Sequence, residues 1–79
     1  MPIYDLYWND GRMGCIVKAD VYPDYMRKLV NKYKNTDEGY NIDNFIDFLK
    51  EKGINAELII CYESSTPVEL TPVDYAIYF

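Results

Sequence analysis

The sequence predicts an α+β fold: a two-layer sandwich with a four-stranded, mainly antiparallel sheet and two helices packed on one of its faces. Three observations carry this. Apolar residues alternate with period two in four segments. They recur at helical spacing in two more. The segments follow one another in β-β-α-α-β-β order. Two helices with one apolar stripe each must cover something, and a single sheet is the economical partner. A chain of 79 residues has room for one domain, spanning residues 1–79.

Ile3 to Trp8 are β-branched and aromatic around Asp5, a strand signal. Asn9-Asp10-Gly11 supplies a hairpin turn, because Gly accepts positive φ without steric cost. Residues 12–19 return as a second strand, with Met13, Cys15, Val17 and Ala19 alternating with Gly14, Ile16 and Lys18. Pro23 suits the first position of a helix, where its missing N–H costs nothing. Met26, Leu29, Val30 and Tyr33 form its apolar stripe. Asp24 in the first turn and Lys32 and Lys34 in the last suit the helix dipole.

Asn35-Thr36-Asp37-Glu38-Gly39 is a polar break. Asn41 then N-caps a second helix, with Tyr40 and Phe45 placed as a hydrophobic staple. Ile42, Phe45, Ile46 and Leu49 are its stripe, and Gly53 followed by Ile54 suits a left-handed ending. Residues 56–62 read as a strand with Leu58 and Ile60 on one face, Ile59 and Cys61 on the other. Residues 64–72 form a loop containing Pro67 and Pro72. Residues 73–79 form the last strand. Alternation alone does not order the strands.

The chain has no histidine, which removes Ser-His-Asp triads, Cys-His dyads and His-ligated zinc. Asp43, Asp47 and Glu51 share a helix face but lack the spacing of a calcium loop. Ser64-Ser65-Thr66 reads as turn chemistry. Gly11 and Gly14 lie at a hairpin, not between a strand and a helix N-terminus, so they do not form a phosphate cradle. No catalytic residue, metal ligand or cofactor is expected.

Cys15 and Cys61 sit among apolar residues and read as free thiols of a reducing, cytoplasmic setting, with a disulfide between them as the alternative. The N-terminus has no basic and apolar leader, so the chain reads as a complete cytoplasmic product. Abundant Tyr, Ile, Asn, Lys and Asp, residues of AT-rich codons, point to a microbial or phage source.

The net charge is −5, which disfavours nucleic acid and anionic membranes as partners. Residues 23–34 are locally basic, and Arg27, Lys28 and Lys32 are candidates to dock an acidic partner.

Nine tyrosines, three phenylalanines and one tryptophan are too many rings for a core this small, so some must reach the surface. Strand parity puts Ile3, Tyr7, Ile16, Ile59, Cys61 and Tyr78 on the face away from the helices, interspersed with Asp5, Lys18, Glu57 and Asp74. Apolar and aromatic residues with a polar rim suit a protein–protein surface. The expectation is an acidic interaction module without catalytic activity, binding itself as a homodimer or another protein. Two alternatives stand beside it. One is a small-ligand binder or enzyme with a pocket between helices and sheet. The other is an acidic inhibitor that mimics nucleic acid.

Overall fold

A computed structural model describes residues 1–8, 13–35, 41–63 and 72–79. The Asn9-Asp10-Gly11 turn, Tyr40, Asp37-Glu38 and the 64–71 part of the expected loop lie outside the described residues. The elements are β1 (Ile3–Trp8), β2 (Met13–Ala19), α1 (Pro23–Lys34), α2 (Ile42–Glu51), β3 (Ala56–Glu63) and β4 (Tyr75–Tyr78). They form one sheet in the order β3-β2-β1-β4, with both helices packed on one face.

β1 and β2 pair antiparallel, with Leu6 opposite Cys15, and β2 pairs antiparallel with β3. β4 instead runs parallel to β1, with Leu6 beside Ile77. It is shorter than the sequence suggests. Asp74 lies just before it and clamps its start: the Ile3 amide donates to Asp74 Oδ2 at 2.8 Å, and the Asp74 amide donates to the Ile3 carbonyl at 2.8 Å. At the other end the Phe79 amide donates to the Tyr7 carbonyl at 2.7 Å.

The core lies between sheet and helices. Tyr4, Leu6, Cys15, Val17, Ile77 and Phe79 from the sheet side meet Met26, Leu29, Val30 and Tyr33 of α1 and Phe45, Ile46 and Leu49 of α2. Both expected stripes are buried. Phe45 is central, its ring 5.2 Å from Tyr33 and 5.1 Å from Phe79. Burying a side chain of this size stabilises the fold by about 1.5–3 kcal/mol. The two buried phenols among the described residues find acceptors: Tyr4 donates to the Val21 carbonyl, and Tyr33 donates to the Asn41 carbonyl at 3.1 Å.

The ends of α2 follow from local chemistry. The Asn41 side chain accepts from the amides of Asp43 and Asn44, satisfying donors that have no partner within the helix. At the other end the Ile54 amide donates to the Leu49 carbonyl and the Gly53 amide to the Lys50 carbonyl, both at 3.0 Å. This pair of bonds defines a Schellman ending, and it needs Gly53 at φ +79°.

β3 departs from simple alternation. Leu58 stands opposite Val17, but Ile60 stands opposite Ile16, so Ile59 is an extra residue and the strand carries a bulge. Beyond it every side chain changes face. Ile60 leaves the helix-facing side expected for it, and Cys61 leaves the outer face for a place opposite Cys15, on the core side. The two cysteines are joined by a disulfide, which overturns their reading as free thiols.

Gly53→Ala places a side chain at positive φ and should cost about 1 kcal/mol, read as a lower urea midpoint with unchanged slope. Cys61→Ser opens a cross-link spanning 46 residues of sequence. It should lower the stability of the folded chain by about 2–4 kcal/mol in the same assay.

Candidate interaction surface

The face opposite the helices is built from the alternate residues of all four strands. β1 contributes Ile3, Asp5 and Tyr7, and β2 contributes Gly14, Ile16 and Lys18. β3 contributes Glu57, Ile60 and Tyr62, and β4 contributes Ala76 and Tyr78.

At its centre the Tyr62 hydroxyl donates to Asp5 Oδ1 at 2.6 Å. The register explains the geometry. Tyr62 stands opposite Gly14, and Gly14 stands opposite Tyr7. With no side chain at position 14, the Tyr62 ring crosses β2 and reaches the β1 carboxylate. A Cβ on Gly14 would lie 2.5 Å from the Tyr62 hydroxyl and 2.9 Å from the Leu6 carbonyl oxygen. Burial, then the hydrogen bond and charge of Asp5, push the Tyr62 phenol well above the usual tyrosine range. It is held as a neutral donor, fixed in place, and is not available as a base near neutral pH. Burial likewise pushes Tyr4, on the core side, up to about 12.

The residues singled out from the sequence divide into four groups. Ile59 and Tyr78 are exposed, at 43% and 55%. Ile3 and Tyr7 are half-buried on the outer face, with the Tyr7 ring edge-on to Tyr78 at 5.6 Å. Ile16 lies on this face but is only 1% exposed, so it is a floor and not a contact residue. Cys61 is not part of the face, because the bulge turns it to Cys15.

Ile60, 39% exposed, and Tyr62 take the places that alternation assigns elsewhere. The signal that could have found them was Cys61 itself: pairing it with Cys15 forces the change of parity. Glu57 and Lys18 are cross-strand partners on the rim. Asp74 accepts from the Ile3 amide just before β4.

On α1, Arg27, Lys28 and Lys32 are exposed, and Arg27 pairs with Asp24 at 3.2 Å. Lys34 reaches around the sheet edge, its ammonium 4.8 Å from the centre of the Tyr78 ring. Near it lies a hollow of about 480 Å³ lined by Trp8, Lys34, Asn41, Ile42, Tyr78 and Phe79. Among the described residues no group of three or more His, Cys, Asp or Glu is placed to hold a metal ion. No described helix is long and apolar enough to cross a membrane.

No family model, curated protein or solved structure matches this chain, so a functional reading rests on its own residues and geometry.

The raised phenols of Tyr4 and Tyr62 make stability depend on pH in the alkaline range. Their folded-state pKa values exceed the unfolded value near 10, so the folded chain keeps protons that the unfolded chain loses. Their contribution is intact below about pH 10 and declines as pH rises toward about 12 and beyond. Denaturant midpoints across that window should fall, and less steeply in Tyr62→Phe. Gly14→Ala should bring the Tyr62 ionisation, followed by ultraviolet absorbance, back toward 10, and cost about 1–3 kcal/mol through overpacking.

Proposed function

We propose that this chain is a small interaction module without catalytic activity, which binds a second copy of itself or another protein through the sheet face opposite the helices. The observation that carries the reading is the cluster of exposed Ile59, Ile60 and Tyr78 around the fixed Tyr62–Asp5 pair. Aromatic and aliphatic groups on a rigid strand scaffold, with Lys18 and Glu57 at the rim, match the anatomy of protein interfaces. Tyr62 is already oriented, so its ordering cost is met within the fold and not on binding. The exposed Arg27, Lys28 and Lys32 add a second, basic surface on the helical layer, suited to an acidic partner.

A cytoplasmic location and a microbial or phage source belong to the same proposal. The disulfide weighs against the location, because such bonds rarely persist in a reducing compartment.

A second reading, a small-ligand binder, is favoured by one observation. The hollow beside Trp8 has aromatic walls and one ammonium, Lys34. Trp8 is the sole tryptophan, so its fluorescence separates the two readings. A ligand in the hollow shifts it, whereas association through the outer face does not require it to change.

Sedimentation of the purified chain across a hundredfold concentration range tests self-association. A dimer that persists on dilution and becomes a monomer in Ile59→Glu, with the helical circular dichroism unchanged, is the expected result for self-binding. A dimer indifferent to Ile59→Glu would remove the outer face as its interface.

A further inference from the structure

We propose that the Cys15–Cys61 bond selects between two registers of the C-terminal half of β3, so that its reduction lets that half slip by one residue and changes what the outer face displays. The inference acts on the surface to which binding is assigned above, but its test does not use binding.

The two registers follow from the ladder itself. Up to the bulge, Ala56, Glu57 and Leu58 stand opposite Ala19, Lys18 and Val17. Continued without the extra residue, the ladder places Ile59 opposite Ile16, Ile60 opposite Cys15 and Cys61 opposite Gly14. The observed ladder places Ile60 opposite Ile16, Cys61 opposite Cys15 and Tyr62 opposite Gly14. Both satisfy the apolar pattern, since each sends one isoleucine to the core side or to Ile16. Only the observed one brings the two cysteines to the same face. In the regular ladder they lie on opposite faces, where no disulfide can form.

Each register gains one feature and gives up another. The regular register removes the bulge and places Ile60 beside Cys15 on the core side. It sacrifices the Tyr62–Asp5 hydrogen bond, because Tyr62 no longer stands over Gly14. β3 is an edge strand with one neighbour, so the slip breaks no ladder except that with β2. A one-residue slip is the smallest change that exchanges the two faces of a strand. The covalent bond therefore decides the register.

The chemistry is two-electron exchange with a dithiol reductant. Cys15 is fully buried and Cys61 is exposed, so a thiolate attacks Sγ of Cys61. The S–S bond breaks, Cys15 leaves as a thiolate and takes up a proton, and a mixed disulfide forms on Cys61. The second thiol of the reductant attacks its own sulfur in that mixed disulfide. Cys61 is released, takes up a proton, and the reductant leaves as a disulfide. Attack comes through a hollow of about 260 Å³ that Cys61, Tyr62 and Glu63 help to line, and the carboxylate there slows an incoming thiolate. The oxidised face displays Ile60 and a Tyr62 bound to Asp5. The reduced face loses Ile60 and Tyr62 and displays the Cys61 thiol and a free Asp5 carboxylate.

Two experiments read the register. In Ile60→Cys/Cys61→Ser, position 60 stands opposite Cys15 only after the slip. Equilibration in a glutathione redox buffer, followed by peptide mapping, should recover a bond between positions 15 and 60. A folded variant that keeps both thiols unpaired overturns the proposal. In the unmodified chain, cross-strand proton contacts by nuclear magnetic resonance should change on adding dithiothreitol. Contacts between residues 61 and 15 give way to contacts between 60 and 15, and the Tyr62 phenol ionises near the usual 10. Retention of the 61–15 contacts after reduction, or loss of contacts throughout the sheet, overturns it: the bond would then be a staple of the whole fold. If Ile59→Glu leaves association unchanged, the binding reading fails while both measurements still report the register.

Discussion

Leu58 and Cys61 are three residues apart, and their partners on β2, Val17 and Cys15, are two apart. In a regular antiparallel ladder residues three apart point to opposite faces. Leu58 is needed against the core, and Cys61 is needed beside buried Cys15. One extra residue between them reconciles the two demands, and Ile59 is that residue. The composition of the outer face depends on this insertion. Ile60 and Tyr62 arrive there because of it, and Tyr62 can reach Asp5 only because Gly14 leaves the space. Ile60 and Tyr62 of β3 thus take their places on the face from one mismatch in spacing.

The helix-facing side obeys simpler rules. Tyr33, Phe45 and Phe79 bring their rings together where α1, α2 and the end of the sheet converge. Tyr4 and Tyr33 are buried whole because their hydroxyls meet backbone carbonyls, so part of the aromatic surplus goes inward. Other rings go elsewhere. Tyr22, 84% exposed, and Tyr25 emerge around the start of α1, remote from the outer sheet face. A surplus of aromatics thus divides among core, outer face and helix end, and the phenols drawn out of solvent, Tyr4, Tyr33 and Tyr62, each meet an acceptor.

Much of this was legible because it is local. Asn41 and Gly53 mark the ends of α2 through bonds spanning no more than five residues, and the two helical stripes are read directly from spacing. The β-hairpin parity of β1 and β2 held for the same reason. The face assignment of β3 failed beyond Leu58, since a bulge is invisible to a period-two pattern and depends on a partner strand 46 residues away at the cysteines. Parallel pairing of β4 was equally hidden, because it is decided by which edge the chain reaches after residue 63. Of the expected surface, Ile3, Tyr7, Ile16 and Tyr78 fall on the outer face, while Cys61 and Ile60 exchange sides.

The parallel pairing of β1 and β4 has a mechanical consequence. The beginning of β1 and the end of β4 lie on neighbouring strands but at opposite ends of the sheet. Tension applied through residues near these two points runs along the strands and loads their hydrogen bonds side by side, in shear. Separation then requires several bonds to break together, including the Asp74 clamp at one end and the Phe79–Tyr7 bond at the other. Had β4 joined antiparallel, the same pull would have opened the pair one bond at a time. A chain this small gains from that direction a resistance to force that its equilibrium stability would not reveal.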